Sequence, residues 1–221
     1  MAGERDVERG GAVVGDALPD ALECRIGHEA RERLRAARIG IAGAGGLGSN
    51  IAVMLARSGV GELVVADFDV VDEGNLNRQH YFREHLGRPK VEALAEQLLA
   101  IGSGTRVRAL RTRVTPENAR GIFEGCDIVC EAFDDPEAKA LLAEELLTLP
   151  EGPVLVAGNG MAGAGPASEI VTRRVSRRFY VCGDGVSDVG ATGALLAPRV
   201  ALCAAQQALL AVRIVLGLEG S

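Results

Sequence analysis

The chain has 221 residues, of which 48% are hydrophobic, 24% are charged and only 3% are aromatic. Its 24 Lys and Arg against 30 Asp and Glu give a formal net charge of −6. These values exclude a disordered chain, and the acidic balance with few aromatic rings argues against a nucleic-acid ligand. We expect a flexible tail over residues 1–20 and a single domain over residues 21–221.

The N-terminal segment has no apolar region of the signal-peptide type, so we expect a cytoplasmic protein. The five cysteines include no CxxC pair, which disfavours a structural zinc site. The most apolar stretch, residues 200–218, contains Gln206, Gln207 and Arg213. We therefore expect no membrane span there, but a helix in the core or at the subunit contact of a homodimer.

Helical and strand patterns of hydrophobic residues alternate along most of the chain. In order, they predict a helix over residues 21–37, a strand over 38–43, a helix over 47–57, a strand over 62–67, a helix over 89–101, a strand over 105–111, a short helix opened by Thr115 and Pro116, a strand over 127–131, a helix over 135–149 and a strand over 153–157. Beyond Ser168 we expect two antiparallel strands at the far edge of the sheet, then a final long helix. The predicted fold class is therefore α/β, a Rossmann-like doubly wound, mostly parallel sheet.

A glycine-rich loop follows the first predicted strand. The motif GAGGLG places Gly43, Gly45 and Gly48 between that strand and the next helix. Glycines at these spacings allow a tight turn and let backbone amides approach a phosphate. Asp67 ends the second strand, where a carboxylate can bind the hydroxyls of a ribose. The two features predict a nucleotide site but do not distinguish NAD from ATP.

Polar side chains beyond the second strand favour ATP. Asn75, Arg78 and Gln79 follow that strand, and Lys90 begins the next helix. Hydride transfer develops no charge on phosphorus, whereas transfer at an α-phosphate does, and Arg and Lys stabilise that charge. Asp134 follows the fourth strand at the same edge of the sheet, a suitable place to hold Mg²⁺. We expect these groups to meet in one crevice.

Four segments in this order resemble the ThiF/MoeB/HesA superfamily, the prokaryotic relatives of ubiquitin-activating enzymes. They are GAGGLGSN, DFDVVDEGNLNRQ, GRPKVEAL and EAFDD, and the resemblance runs from about residue 34 to the C-terminus. The runs GIAGAGGLGSNIA, FYVCGDGVSD and LLAPRVALCAAQQ are most similar to the short ThiF-type adenylyltransferases of thiamine biosynthesis.

The resemblance implies ATP-dependent adenylylation of a small β-grasp sulfur-carrier protein similar to ThiS. The Gly-Gly carboxylate of the carrier would attack the α-phosphorus of ATP, giving an acyl-adenylate and pyrophosphate. By the family pattern, Gly45 and Gly46 approach the phosphates, Asp67 binds the ribose and Asp134 holds Mg²⁺. Arg25 is the candidate for an arginine that reaches the ATP of the partner subunit, with Arg31, Arg33 and Arg35 as competitors. The residues implied around the triphosphate are Asn75, Arg78, Gln79 and Lys90.

The chain departs from the family pattern at several points. The zinc-binding CxxC pairs of many members are absent, and Glu131 stands where Asp is usual. Asp135 stands where Asn is usual, and we expect it to cap the following helix. Some relatives form a covalent bond to the carrier through a cysteine. Cys182 is the candidate here, the alternative being a small residue at a strand end.

The sequence is also compatible with three other functions. The chain could adenylate another acceptor, such as a free carboxylate or a carboxylated tRNA nucleoside. It could be an NAD(P)-dependent oxidoreductase with the same phosphate loop. It could also be a catalytically silent scaffold that binds ATP and a partner.

Overall fold

The computed structural model of the protein describes residues 17–192 and 194–219. Its strands are Arg38–Ala42 (β1), Glu62–Asp67 (β2), Arg106–Arg111 (β3), Ile128–Glu131 (β4), Val154–Gly158 (β5), Val171–Ser176 (β6) and Phe179–Gly183 (β7). They form one sheet in the order β3-β2-β1-β4-β5-β7-β6. All neighbouring pairs are parallel except β6 and β7. The predicted fold class is confirmed.

Helices precede the sheet and connect its strands. The α-helices are Ala17–Ile26 (α1), His28–Ala36 (α2), Gly46–Arg57 (α3), Lys90–Ala100 (α4), Pro116–Ile122 (α5), Pro136–Leu147 (α6), Val189–Thr192 (α7) and Ala197–Val215 (α8). Short 3₁₀ helices lie at Glu73–Asn75, Arg83–His85 and Ala167–Glu169.

The first helical segment differs from its prediction. The helix expected over residues 21–37 is divided into α1 and α2 at Gly27, whose φ of +85° interrupts a right-handed helix. Helix α1 begins at Ala17, inside the segment predicted as a tail, and residues 1–16 of that segment lie outside the described residues.

Two packed layers bury the sheet. Ile51 and Leu55 of α3, together with α4 and α8, cover one face of the sheet. Leu142 and Leu146 of α6, together with α5, cover the other. Because both faces are covered, the central strands are mostly apolar, as their sequences predict.

Helix α8 is part of the core. By length and composition it is the one helix in the described part of the chain that could cross a membrane. Its buried side includes Cys203, Ala204 and Ala208. Buried Gln207 of α8 also donates from Nε2 to the carbonyls of Glu131 in β4 and Val156 in β5. These contacts give α8 the role of a core helix within this fold.

Candidate active site

A cleft of about 610 Å³ runs along the carboxyl edge of the sheet. The ends of β2, β4 and β5 open into it together with the loop between β1 and α3. Ligand sites of open α/β sheets occupy this edge because the loops after parallel strands meet there. The predicted residues that line the cleft are Gly43, Gly45, Gly46, Asp67, Arg78, Gln79, Lys90 and Asp134.

The glycine loop presents the start of α3 to the cleft. Gly45 is the N-cap, and no side chain caps the helix. The first amides of a helix lack partners within it, so an uncapped N-terminus attracts anions. Gly45 and Gly46 leave this end open for a phosphate group.

Asp67 is held rigidly beside that loop. Its Oδ2 accepts from Ala44 N at 2.6 Å and its Oδ1 accepts from Asp69 N at 2.7 Å. Tyr81 donates its hydroxyl to Ala44 O. Burial, and secondarily the charge of Asp67, hold the pKa of Tyr81 well above its usual value, so Tyr81 stays a neutral donor. The carboxylate thus has a fixed position next to the phosphate loop.

Two cations reach the cleft from the segment after β2. Lys90 is only 6% exposed, and its Nζ donates to Asp69 Oδ2 at 3.0 Å. Arg78 donates from Nη1 to Gly74 O and to Asn77 Oδ1, both at 2.9 Å, and its stem lies beside Gly46. Both residues line the same cleft, although each pairs with a different group.

Gln79 leaves an unpaired acceptor in the site. Its side chain is buried, and Oε1 has no hydrogen-bond partner among the described residues. Its Nε2 would lie 3.8 Å from a Cβ placed on Gly45. A buried polar atom without a partner is costly unless a ligand or water satisfies it. This atom supports a polar ligand above the glycine loop.

The end of β4 contains an ion pair that sequence reasoning missed. Glu131 is 1% exposed, and Lys139 of α6 donates to both of its carboxylate oxygens, at 2.9 and 3.0 Å. Burial raises the pKa of Glu131, whereas the charge of Lys139 acts in the opposite direction. A sequence signal was present: the chain has only two lysines, Lys90 and Lys139, and both line the cleft.

Phe68 and Arg113 line the opposite end of the cleft and were also missed. The Arg113 guanidinium carbon lies 3.7 Å from the centroid of the Phe68 ring. A cation and an aromatic face in such contact provide a flat surface for stacking. This surface adjoins Asp67 in the lining of the cleft, within the part where a nucleoside would bind.

Asp134 and Asp135 have different roles at the start of α6. Asp135 Oδ1 accepts from Glu137 N at 3.0 Å, which confirms the predicted helix cap. Asp134 is exposed and lines the cleft. The described residues contain no group of three or more His, Cys, Asp or Glu able to hold a metal by themselves. One carboxylate beside a triphosphate still fits Mg²⁺, which takes its other ligands from phosphate oxygens and water.

Four predicted site residues do not line the cleft. Gly48 lies beneath the loop, and a Cβ there would come 1.8 Å from Gly43 O. Its lack of a side chain therefore serves close packing of α3 under the loop, and its contact with a nucleotide stays a prediction. Asn75 accepts from Asp72 N within a local capping box. Its contact with a triphosphate stays a prediction.

Arg25 and Cys182 are the other two. Arg25 lies in the last turn of α1, and Leu22 of that helix packs against Gly59, at the opposite edge of the sheet. Its predicted action on a partner subunit stays a prediction. Cys182 is fully buried in β7, with its Sγ 3.4 Å from Thr172 Oγ1. Burial raises the pKa of this thiol, which favours a small core residue over a nucleophile.

Two curated relatives match half or more of the chain. The adenylyltransferase and sulfurtransferase uba4 of Aspergillus fumigatus is 36% identical over 142 residues, covering 64% of this chain and 28% of that protein. The probable adenylyltransferase/sulfurtransferase MoeZ of Mycobacterium tuberculosis is 38% identical over 112 residues, covering 50% of this chain and 28% of that protein. The matched region is thus less than a third of the length of either relative.

A solved structure matches the whole fold. The E. coli tRNA N6-threonylcarbamoyladenosine dehydratase TcdA in complex with AMP superposes with a TM-score of 0.82 at 24% sequence identity. The superposition covers 94% of this chain and 99% of that chain. This likeness establishes a shared fold. The ThiF family model matches residues 21–221, and the chain belongs to the ThiF family.

Proposed function

We propose that this chain is an ATP-dependent adenylyltransferase that activates the C-terminal Gly-Gly carboxylate of a small, ThiS-like β-grasp sulfur carrier. One observation carries the proposal: the cleft joins an uncapped helix N-terminus to Arg78, Lys90 and the unpaired Gln79. A nucleoside triphosphate presents the anionic and polar groups that these residues can bind. The chain then works in the cytoplasm as a homodimer.

The proposed reaction is an in-line displacement at phosphorus. A carboxylate oxygen of the acceptor attacks the α-phosphorus of ATP, and the bond from that phosphorus to the bridging oxygen breaks. Acyl-adenylate and pyrophosphate result, with no change in oxidation state. Arg78 and Lys90 stabilise the negative charge that spreads over the phosphoryl oxygens. Mg²⁺ held by Asp134 would neutralise further phosphate charge when bound.

The names of the relatives support adenylation but do not identify the acceptor. Both uba4 and MoeZ carry adenylyltransferase in their names, and each also has a sulfurtransferase activity in its name. This chain matches only 28% of either protein, so we propose the adenylation step alone. The assignment to thiazole formation in thiamine biosynthesis rests on the ThiF-type runs around Gly43 and Cys182.

A rival acceptor is a carboxylated tRNA nucleoside. TcdA, which shares the fold along its full length, is named as a tRNA dehydratase. Arg111 of the edge strand β3 supplies local positive charge for contact with a phosphate backbone, whereas Arg106 of the same strand pairs with Glu62. The overall charge of −6 and the scarcity of aromatic residues still favour a protein acceptor.

ATP–pyrophosphate exchange tests the proposal. The wild-type protein is assayed with purified Gly-Gly-terminated β-grasp carriers, with carriers lacking the last glycine, and with bulk tRNA. We expect exchange only with an intact carrier. Exchange with tRNA alone would favour the rival acceptor, and tight NAD binding with no exchange would refute adenylation.

Substitutions with matched controls test the catalytic roles of the two cations. We expect Lys90→Ala and Arg78→Ala to lower the exchange rate by about 10²-fold or more, as is typical when a group facing transition-state charge is removed. Arg88→Ala and Arg83→Ala are the controls, because these arginines pair with Glu96 and Glu73 outside the cleft. Equal loss in the controls would contradict the assigned roles.

A further inference from the structure

A buried arginine at the start of α8 connects three segments of the chain. Arg199 is 6% exposed, and its Nη2 donates to Asp184 Oδ2 at 2.5 Å and to Glu169 Oε2 at 3.4 Å. Its Nη1 donates to Pro166 O at 3.1 Å. The guanidinium thus joins α8 to the loop after β5 and to the loop after β7.

Asp184 in turn accepts hydrogen bonds from the backbone of the loop after β7. Its Oδ1 accepts from Val186 N at 2.9 Å and from Ser187 N at 2.8 Å. Ser187 Oγ in turn accepts from Ala162 N at 3.0 Å. Burial opposes ionisation of Asp184, but these amides and Arg199 hold its pKa below the usual value. The ion pair therefore persists at neutral pH.

The two loops are in close backbone contact. Asp184 N donates to Gly160 O at 2.9 Å, and Gly185 N donates to Asn159 O at 3.0 Å. A Cβ on Gly160 would come 2.1 Å from Asp184 Oδ1. The loops at residues 159–163 and 183–188, which we call the wall loops, are therefore fitted to each other around the ion pair.

The wall loops line one part of the cleft. They contribute Asn159, Met161, Ser187 and Asp188 among others, whereas Phe68 and Arg113 lie beyond β2 in the sheet order. A nucleotide with its ribose at Asp67 and its phosphates above α3 leaves the side of β5 and β7 open. With the nucleotide in that position, the side of β5 and β7 is the part of the cleft left for an acceptor carboxylate.

We infer that Arg199 is a positioning residue for the acceptor: through Asp184 it fixes the wall loops at the acceptor side of the cleft. The inference rests on the proposed adenylation. Arg199 does not line the cleft itself and acts through residues that do. Its loss should therefore weaken use of the acceptor while leaving ATP binding intact, since Lys90, Arg78 and the glycine loop lie outside this network.

Exchange kinetics with a Gly-Gly-terminated carrier test this role, measured for the wild type, Arg199→Met, Arg199→Lys and Asp184→Asn. We expect Arg199→Met to raise the KM for the carrier by about tenfold or more, with the KM for ATP changed by less than about twofold. Arg199→Lys keeps one ion pair and should restore part of the carrier KM. Arg213→Met on the same helix is the control, because Arg213 pairs with Glu219 near the chain end.

Hydrogen exchange provides a readout that does not depend on turnover. In Arg199→Met the amides of Ala162, Val186 and Ser187 should exchange faster, and those of the glycine loop should not change. If Arg199→Met does not fold, the same kinetic and amide-exchange measurements are made on Arg199→Lys and Asp184→Asn.

Two results would overturn the inference alone. One is an equal rise in the KM for ATP and for the carrier, and the other is faster amide exchange with unchanged kinetics. Absence of exchange by the wild type with every carrier would instead refute the proposed function, and the acceptor role of Arg199 with it.

Discussion

The two lysines of the chain have different surroundings within one cleft. Lys90 faces Asp69, whose carboxylate is nearly half exposed, so its ammonium can turn toward a phosphate at little cost. All three donors of Lys139 are occupied, two by Glu131 and one by Gly158 O. Lys139 therefore neutralises a buried carboxylate and joins β4 to β5, and only Lys90 is available to a ligand.

Replacing Lys139 tests this distinction. We expect Lys139→Met to lower the free energy of unfolding at pH 7 by about 3–5 kcal/mol, because it leaves Glu131 as an uncompensated buried charge. Burial already raises the pKa of Glu131, and loss of the Lys139 charge raises it further. The penalty therefore applies at neutral and high pH and fades as the pH falls toward the unfolded value of about 4, where Glu131 is protonated in both states. Urea unfolding at pH 7 and pH 4 measures both effects.

A double variant separates charge from packing. Glu131→Gln combined with Lys139→Met removes both charges, and we expect it to recover most of the lost stability. A loss of the same size in the double variant would show that packing, and not the unpaired carboxylate, accounts for the effect.

At the scale of elements, the start of α3 packs tightly within the fold and also lines the candidate site. The helix must begin close under the loop for its first amides to face the cleft, and the closest point is between Gly48 and Gly43 O. The glycine spacing identified this unit correctly. The sequence did not show which glycine faces a ligand and which packs, because that depends on the path of the loop over the helix.

Two glycine substitutions test how tightly the start of α3 packs under the glycine loop. We expect Gly48→Ala to cost about 1–3 kcal/mol of stability through overpacking and to abolish ATP binding by displacing the loop. Gly121→Ala in α5 is the matched control: nothing lies within 4 Å of its added Cβ, and we expect a gain of about 0.5–1 kcal/mol. Thermal unfolding measures the stability of each variant, and ATP titration measures its affinity for ATP. Unimpaired ATP binding by Gly48→Ala would contradict the tight fit.

At the scale of the whole molecule, α1 presents Arg25 away from the cleft of its own chain. A contribution to catalysis therefore requires a second subunit whose cleft comes close to α1. The exposed position of Arg25 at the end of α1 allows such a contact.

Mixing two inactive variants tests the shared site. Subunits carrying Arg25→Ala and Lys90→Ala are combined and refolded together. If Arg25 acts in the partner's cleft, each mixed dimer has one intact site, and we expect about a quarter of wild-type exchange activity in a random mixture. No recovery of activity, with mixed dimers formed, would contradict a role of Arg25 in the partner's cleft.

The sequence by itself determined the order of elements, the parallel sheet and the glycine loop. These follow from local patterns: apolar runs, cap residues and the spacing of glycines after a strand. It also indicated the cleft cations Arg78 and Lys90 and the carboxylate Asp67, because residues that follow parallel strands meet at one edge.

Only the tertiary structure decided which side chains reach the cleft and which support it. Lys139 and Glu131 are brought together from α6 and β4, Arg199 joins loops distant in the chain, and Cys182 is buried by the packing of α8 on β7. These contacts depend on how helices lie against the sheet. Burial and pairing are set by that three-dimensional packing, which local sequence patterns do not specify.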